Sequence, residues 1–216
     1  MIFIIIFKLL ICIILAYLIG SFPSAYVVGK VFFNRDIRKM GSGNVGTTNT
    51  YRVFGFLPGT VVLLLDIFKG TLGASLPLFF GVPGGKPWMI LVGFAAVIGH
   101  CYSIFLNFKG GKAVATGSGI LLAYDPKLFF IAAALFLVIV LLTSTVSIAS
   151  LIVLPFVTIM AIVMKDPYLF VVALIVTGIV YYKHIPNIKR LKNHDENIVH
   201  FGLVYYLRKK HSQKTN

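Results

Sequence analysis

Long apolar runs alternate with short polar stretches along almost the whole chain, and most of the runs are long enough to cross a lipid bilayer. About 20 helical residues span a hydrocarbon core of roughly 30 Å. The first run, residues 1–28, has neither a basic start nor a small-residue cleavage site, so a retained helix is expected and not a signal peptide. Further runs follow at about 53–80, 88–105, 113–124, 128–142, 148–164 and 168–182. The pattern predicts an all-α polytopic membrane protein with seven transmembrane helices.

Composition supports the membrane class and limits the chemistry. Of the 216 residues, 58% are hydrophobic and 12% are charged, against roughly 25% charged in an average soluble protein. A net charge of +14 would suggest a nucleic-acid partner in a soluble domain. In a membrane protein, basic cytoplasmic loops and anionic lipid or phosphate ligands explain it better. Cys12 and Cys101 both lie in apolar runs, which argues against a disulfide framework and a structural zinc site.

Lysine and arginine are concentrated in every second loop. The predicted outer loops carry one lysine each, namely Lys86, Lys127 and Lys165. The other loops and the C-terminal segment carry Lys30, Arg35, Arg38, Lys39, Arg52, Lys109, Lys112, Lys183, Lys189, Arg190, Lys192, Arg208, Lys209, Lys210 and Lys214. Because basic loops stay in the cytoplasm, we expect the N-terminus outside and the C-terminus inside. The polar stretches 41–52, 107–119 and 183–191 then share the cytoplasmic face.

The first polar stretch, residues 41–52, reads GSGNVGTTNTYR. Its three glycines permit close approach of the backbone to a ligand. Its Ser, Asn and Thr side chains supply short hydrogen-bonding groups, and Arg52 brings a planar cation suited to phosphate. A plain polar turn has a similar composition. The basic flanks and the second Gly/Lys stretch favour an anion-binding site.

The second polar stretch, residues 107–119, reads NFKGGKAVATGSG. Gly110 and Gly111 would let the backbone turn its amides toward an anion, at which the following helix would also point its N-terminus. The stretch is not a Walker A loop, because no glycine lies five residues before Gly111 and Ala113 replaces the Mg²⁺-binding Ser or Thr. It therefore predicts phosphate binding without grounds for ATP. The alternative is that its lysines merely flank a helix on the cytoplasmic side.

Asp66 and Lys69 interrupt the second apolar run, and three-residue spacing places them on one helix face. They form either an ion pair that makes a buried helix tolerable or a functional pair within the membrane. The pair would also suit a small anion or organophosphate transporter, although the other polar residues crowd one face. None of the five histidines has an acidic residue five positions later, and the chain has only six carboxylates. The inventory favours anion binding, orientation and charge stabilisation.

Four segments, in correct order and spacing from about residue 4 to 196, resemble the bacterial acyl-phosphate:glycerol-3-phosphate acyltransferases, the PlsY family. The match is specific because the four segments agree in register. They are residues 41–46 with Asn49 and Arg52; residues 66–70; Gly99-His100 with residues 108–112 and 114–116; and His184 with Asn187-Ile188 and Arg190-Leu191.

The resemblance implies a seven-helical enzyme of the bacterial cytoplasmic membrane whose site faces the cytoplasm. It would transfer an acyl chain from acyl phosphate to the 1-hydroxyl of sn-glycerol 3-phosphate, giving lysophosphatidate and phosphate, the first step of phospholipid synthesis. The implied functional residues are Ser42, Arg52, Lys112, His184 and Asn187. Further expected substrate contacts are Gly41, Asn44, Gly46, Asn49, Asp66, Lys69, Lys109, Gly110, Gly111 and Thr116.

We interpret Arg52 and Lys112 as holding phosphates, while Ser42, His184 and Asn187 orient glycerol phosphate. The loop amides would stabilise the departing phosphate, and a substrate phosphate could accept the proton. Expected partners are the two substrates and membrane lipids. No nucleic acid, metal or cofactor is expected, and the enzyme is expected to be a monomer.

The chain departs from the family pattern at a few positions. Thr47 replaces an alanine, and Pro186 replaces a glutamate and could end the last helix early, which would shift Asn187. Glu196 fits a late acidic residue that we interpret as structural. Residues 1–196 are expected to form one membrane-embedded acyltransferase domain. Residues 197–216 form a basic aromatic tail that either contacts anionic headgroups or lacks fixed structure.

Overall fold

The computed structural model describes residues 2–212, and these residues form helices joined by short connections without any strand. The helices are α1 Ile2–Ser21, α2 Ser24–Phe33, α3 Thr47–Phe54, α4 Phe56–Phe79, α5 Lys86–Cys101, α6 Val114–Tyr124, α7 Pro126–Thr143, α8 Val146–Val163, α9 Pro167–Lys183, α10 Ile185–Lys192 and α11 Leu203–Ser212. Single 3-10 turns lie at Ile37–Lys39 and Ile104–Leu106. The prediction of an all-α protein is confirmed.

Five helices are long and apolar enough to cross a membrane: α1, α4, α5 with its following 3-10 turn, α7 and α8. Helices α9 and α10 make a sixth crossing if the pair, bent by 58°, is one span. Helix α6 has 11 residues, so it is about 17 Å long, roughly half of the hydrocarbon thickness. All seven predicted apolar runs are helical, and the number of full crossings is five or six by length and composition.

The first apolar run does not form one helix, which corrects the predicted continuous segment 1–28. Helix α1 ends at Ser21 and α2 begins at Ser24, because Pro23 has no N–H to donate within a helix and its ring obstructs the preceding turn. At the break, the carbonyl of Phe22 accepts the N–H of Ser24 at 3.1 Å and a hydrogen bond of 3.0 Å from Lys69 Nζ. The kink therefore creates a polar backbone group beside α4.

Helices α1, α4, α5 and α6 contact one another almost backbone to backbone. A Cβ added at Gly20 would overlap the backbone of Ala96, and one at Gly99 would overlap the backbone of α1. Gly70 and Gly119 have the same role between α4 and α6. Small residues allow this approach, which drives helix association in membranes through van der Waals packing. The close packing fixes the end of α5, after which the second glycine-containing loop begins.

Helices α5 to α9 enclose the larger apolar core, in which Val97, Ile120, Val172 and Val180 are buried. Helix α9 ends at Lys183, and Pro186 occupies the first turn of α10, where its fixed φ and missing N–H are tolerated. The expected early helix end at this proline is therefore present. Asn187 consequently lies in the first turn of a new helix that points in a different direction.

Candidate active site

The first glycine loop is folded around the side-chain amide of Asn49, which is 2% exposed. Its Nδ2 donates to the carbonyls of Met40 and Asn44, both at 3.0 Å, and its Oδ1 accepts the N–H of Ser42 at 2.9 Å. Gly41 has φ +58°, and a Cβ there would overlap Asn49 Oδ1, so only glycine fits. Asn49 thus shapes the loop and leaves Ser42 exposed at its tip.

Helix α3 begins after this loop and carries Arg52 toward the C-terminal segment. Arg52 Nη1 lies 3.4 Å from Asn49 Oδ1, so the same amide that shapes the loop also contacts the guanidinium. The pKa of Arg52 is lowered by burial and, to a smaller extent, by the charge of Arg190, while the Glu196 carboxylate raises it. Arg52 therefore lies close enough to Arg190 and Glu196 to interact with their charges.

The second glycine loop lies flat against the last turn of α5. The N–H groups of Gly110 and Gly111 donate to the carbonyls of Cys101 and His100, at 3.1 and 3.0 Å. A Cβ at either glycine would overlap His100. The expectation that these two amides face an anion is wrong, because both are already bonded to α5. The glycines permit close packing, and this packing fixes the position of Lys112.

Helix α6 supplies the N–H groups that the glycines do not. Ala113 turns the chain with φ +57°, and α6 begins at Val114 without a side-chain cap. The first helical hydrogen bond runs from the Gly117 N–H to the Ala113 carbonyl at 2.8 Å. Within residues 2–212, the N–H groups of residues 114–116 bond to no backbone carbonyl. An uncapped helix N-terminus attracts anions through these groups and the helix dipole.

Lys112 lies two residues before the first residue of α6, and its side chain joins the second glycine loop to α10. Its Nζ donates to Asn187 Oδ1. Burial lowers the pKa of Lys112 to about 8, the nearby Glu196 carboxylate partly offsets this, and Arg190 and Arg52 lower it further. Residues far apart in the sequence therefore meet at this ammonium group.

His184 occupies the junction between α9 and α10 and is 3% exposed. Its Nδ1 lies 2.8 Å from the carbonyl oxygen of Val180. Because a carbonyl can only accept, Nδ1 carries the proton and donates it. In the neutral ring Nε2 is then the acceptor, so the backbone fixes the tautomer that could accept a hydrogen bond from a substrate hydroxyl.

A carboxylate fixes the orientation of Asn187. Asn187 Nδ2 donates to Glu196 Oε1 at 2.6 Å and to Ser147 Oγ at 2.9 Å. Ser147 Oγ donates to Glu196 Oε1 at 2.6 Å, and Arg190 Nε donates to Oε2 at 2.7 Å. With Nδ2 held in this way, the carbonyl oxygen of Asn187 points to Lys112.

The charges of this cation cluster, defined as Arg52, Lys112, Arg190 and Glu196, do not balance. Burial raises the pKa of Glu196, but hydrogen bonds from Ser147, Asn187 and Arg190 outweigh it, so the net shift is downward. The carboxylate is therefore ionised, and it faces three cations. An excess of about two positive charges in a partly buried site is an arrangement for binding phosphate.

The pair of Asp66 and Lys69 belongs to a different group of residues. Lys69 Nζ lies 2.8 Å from Asp66 Oδ1, and the two side chains are 6% and 2% exposed. Ser24 Oγ donates to the same oxygen at 2.9 Å, and Thr116 Oγ1 lies 3.1 Å from His100 Nδ1. Among residues 2–212, no described hydrogen bond or ion pair connects Asp66, Lys69 or Thr116 to the cation cluster. Within the protein, Asp66 and Lys69 form an ion pair, and their role as substrate contacts stays a prediction.

The structure therefore brings together Arg52, Lys112 and Asn187, with His184 one turn before Asn187. Ser42 is connected to Arg52 through Asn49. Lys109 is exposed, and Gly46 is the N-terminal cap residue of α3. The roles of these residues as substrate contacts stay predictions, as do those of Asn44, Asp66, Lys69 and Thr116.

Three residues of the site were absent from the predicted set: Arg190, Ser147 and Glu196, the last of which the sequence analysis interprets as structural. Arg190 follows Asn187 by three positions, a spacing that places both on one face of α10, so the sequence did carry a signal for it. Ser147 had none, because its contact depends on how α8 packs against residues 193–202.

Known proteins are similar to this chain in sequence and in fold. The family model described as glycerol-3-phosphate acyltransferase matches residues 10–194. The glycerol-3-phosphate acyltransferase of Limosilactobacillus reuteri is 50% identical over 209 residues, which cover 96% of this chain and 99% of that protein. The corresponding protein of Latilactobacillus sakei is 52% identical over 206 residues, 95% of this chain and 100% of that one.

Two solved structures are also similar. One is the crystal structure of PlsY, an integral membrane glycerol 3-phosphate acyltransferase, in its glycerol 3-phosphate form. It has a TM-score of 0.83 and 34% identity, and the match covers 92% of this chain and 98% of that chain. The lysophosphatidic acid form has a TM-score of 0.79 and 33% identity, with 88% and 94% covered.

Proposed function

Since this chain belongs to the glycerol-3-phosphate acyltransferase family that includes PlsY, we propose that it takes its acyl chain from a fatty acyl phosphate. The chain is a multi-pass membrane acyltransferase of phospholipid synthesis. In the proposed reaction, the 1-hydroxyl oxygen of sn-glycerol 3-phosphate attacks the acyl carbon, and the bond from that carbon to the phosphate oxygen breaks. The products are lysophosphatidate and inorganic phosphate, which carries away the hydroxyl proton.

The observation that carries this proposal is the charge excess of the cation cluster, in which Arg52, Lys112 and Arg190 face the single carboxylate of Glu196. Acyl phosphate and glycerol 3-phosphate each bring a phosphate group, so two anions must lie near each other during transfer. Cations from three separate segments suit that requirement, since each phosphate would otherwise repel the other. A donor such as acyl-CoA would not place a second phosphate next to the reacting carbonyl.

We assign the leaving phosphate to the N-terminus of α6. Its support is the uncapped first turn, together with Lys112 directly before it. Hydrogen-bond donors fixed in advance stabilise charge as it develops on a leaving group, and removal of one such donor typically costs 10²- to 10³-fold in rate. Phosphate is a good leaving group, so the site does not need a strongly basic side chain.

We assign glycerol 3-phosphate to the side of the cluster formed by Arg52, His184 and Asn187, with Ser42 at the exposed loop tip. Arg52 would hold its phosphate, and the acceptor Nε2 of His184 would orient its 1-hydroxyl. Asn187 would contribute by holding Lys112 in place. Because all of these groups come from one chain, we propose that a monomer is sufficient for activity.

We further propose seven crossings, with the N-terminus outside and the active site at the cytoplasmic surface. The support is the concentration of basic residues in alternate loops, together with the short α6. The second glycine loop folds back along the end of α5, and this loop together with α6 would make up the length of one crossing. Residues 1–196 would form the catalytic domain in the cytoplasmic membrane.

Cysteine labelling tests this topology. In a background in which Cys12 and Cys101 are replaced by alanine, Lys127→Cys should react with a membrane-impermeant maleimide on intact cells. Lys192→Cys should react only after permeabilisation. The reverse pattern, or reaction of both on intact cells, would contradict the proposed orientation.

An acyl-transfer assay on purified protein tests the reaction itself. Palmitoyl phosphate with labelled glycerol 3-phosphate should give labelled lysophosphatidate, whereas palmitoyl-CoA should give none. Lys112→Ala should lose most of the activity, and Lys192→Ala, which removes an exposed lysine outside the predicted set, should retain it. Product from palmitoyl-CoA alone would refute the proposed donor.

A further inference from the structure

Beyond the site, the chain continues into a segment, residues 197–212, whose described hydrogen bonds to the rest of the protein are made to one buried residue. Ser144, in the turn between α7 and α8, is 0% exposed. Its carbonyl accepts the N–H of Val199 at 2.8 Å, and its Oγ accepts the N–H of Tyr205 at 3.0 Å. Gly202, with φ +94°, is so close that a Cβ would lie 2.7 Å from Ser144 Oγ. Helix α11 is therefore docked on the end of α7.

Helix α11 has two different faces. Val204 and Tyr205 are half-buried against the protein. Leu203, Tyr206 and Leu207 are 53%, 60% and 49% exposed, and their i, i+3, i+4 spacing makes a single apolar stripe. No described residue of the chain covers this stripe. An uncovered aromatic and aliphatic stripe on a short helix needs an apolar environment outside the protein.

The surroundings of α11 indicate which environment that is. The next residues, Arg208, Lys209 and Lys210, are all exposed cations, and residues 203–212 contain no Asp or Glu. Helix α11 packs against α7, and the last turns of α7 expose Leu141 and Leu142, which belong to a candidate membrane span. The stripe therefore lies next to a surface that faces lipid chains, and the cations follow it directly.

We propose that α11 is an interfacial helix that binds anionic phospholipid at the membrane surface. The Leu203, Tyr206 and Leu207 stripe enters the boundary between headgroups and acyl chains, and Arg208, Lys209 and Lys210 bind lipid phosphates. This combination of an apolar face with clustered cations is what holds helices at anionic membranes. The matched family model ends at residue 194, before α11 begins.

The connection from α11 to the cation cluster is short. Glu196 lies only three residues before Val199, and it receives hydrogen bonds from Asn187 and Arg190. A helix held at the membrane therefore keeps the segment that carries Glu196 against the site. This coupling, which rests on the proposed function, predicts higher activity in membranes that contain anionic lipid.

Fluorescence quenching tests the lipid contact directly. The full chain with Trp88→Phe and Tyr206→Trp has one tryptophan, on the exposed stripe, and would be placed in nanodiscs containing brominated phosphatidylglycerol or brominated phosphatidylcholine. Quenching should be severalfold stronger with the brominated anionic lipid. The reporter Leu207→Trp, again with Trp88→Phe, repeats the measurement in case the first variant folds poorly.

Charge variants provide the control. The triple change Arg208→Gln, Lys209→Gln and Lys210→Gln should abolish the preference for the anionic lipid. The matched triple change Lys30→Gln, Arg35→Gln and Lys39→Gln removes the same charge from another exposed segment and should keep it. Absence of quenching by either lipid, or equal quenching by both, would overturn the proposal.

The activity arm separates the two proposals. Acyl transfer should rise severalfold when anionic lipid is included in the nanodiscs, and the Arg208, Lys209 and Lys210 triple variant should not respond. An unresponsive but active enzyme would refute the coupling. An enzyme without activity in any lipid would refute the proposed reaction, while the quenching result would still decide whether α11 binds the membrane.

Discussion

Two groups of charged residues in this protein differ in charge balance and in exposure. In one, Asp66 and Lys69 pair at 2.8 Å in the packed interior, and Ser24 and the Phe22 carbonyl complete their hydrogen bonds. In the other, three cations share the carboxylate of Glu196. The first group is neutral and closed, whereas the second has a positive excess and opens to the exposed Ser42 loop.

The difference shows that charge balance distinguishes scaffold from site better than burial does. A buried pair compensates for the loss of hydration only when geometry and hydrogen bonds are complete, and this is the case for Asp66 and Lys69. An unbalanced group has to be completed by a ligand. The closed pair also removes the main reason to consider a transporter, because its charges are already bound to protein atoms.

Breaking the closed pair should have the largest effect. Asp66→Asn leaves Lys69 without its counterion, and the loss of one partner of a buried ion pair typically costs about 3–5 kcal/mol. We expect a large fall in thermal stability in detergent for this variant. The double variant Asp66→Asn with Lys69→Met should recover most of that stability, since it restores neutrality. A double variant as unstable as the single one would contradict the comparison.

Removing a cation from the open group should affect activity and not stability. Lys112→Ala should lower kcat/KM for glycerol 3-phosphate by roughly 10²- to 10³-fold, as for loss of a group that stabilises developing charge. Unfolding temperature should be unchanged or higher, because burial of the ammonium group lowers its pKa and thus opposes folding. Steady-state kinetics and thermal unfolding of the same preparation measure both. A stability loss like that of Asp66→Asn would show that Lys112 is a scaffold residue.

The pH dependence should reveal the same property of Lys112. Its pKa is about 8 in the folded protein and 10.5 in the reference state. If substrate phosphate binds the protonated ammonium, KM should rise above pH 8, by up to about tenfold per unit. The stability of the empty protein should move in the opposite direction, increasing from about pH 8 to 10.5, because the unfolded chain then binds more protons. In Lys112→Arg the rise in KM should disappear from this range.

The smallest effect is expected at Ser147. Its hydroxyl joins Asn187 to Glu196, and the loss of one hydrogen bond is worth about 1 kcal/mol. Ser147→Ala should therefore change kcat/KM severalfold. Ser150→Ala is the matched control, because Ser150 lies one turn along α8 and donates only to the Val146 carbonyl. Equal effects of the two changes would argue against a role for Ser147 in positioning Asn187.

Sequence patterns were sufficient for the helices and for much of the open group. Hydropathy alone located the apolar runs, charge type indicated Arg52 and Lys112, and the resemblance to the PlsY family implied Asn187. The hydropathy signal is local, because a membrane helix satisfies its own backbone hydrogen bonds. The break at Pro23 was also visible in the sequence, although the run was interpreted as continuous.

The sequence could not show toward which neighbour a backbone N–H group or a side chain points. The glycines at 110 and 111 indicate a close approach, but their N–H groups point to α5 because of where that helix ends. Asn49 is a residue type that often contacts substrates, yet its side-chain amide bonds to the backbone of its own loop. In each case the hydrogen-bond partner is the group that tertiary packing brings within bonding distance, and a local sequence pattern does not show this.

The break after α1 has a consequence for how the protein is made. Synthesis proceeds from the N-terminus, so the Phe22 carbonyl and the Ser24 hydroxyl reach the membrane before Asp66 and Lys69. A lone charged residue at the centre of an inserting helix is opposed by roughly 2.5–3.5 kcal/mol. We therefore expect α4 to insert next to α1 and α2, whose Phe22 carbonyl and Ser24 hydroxyl complete the hydrogen bonds of the Asp66–Lys69 pair. Chains lacking residues 2–33 should insert α4 poorly, which protease protection of nascent chains would measure.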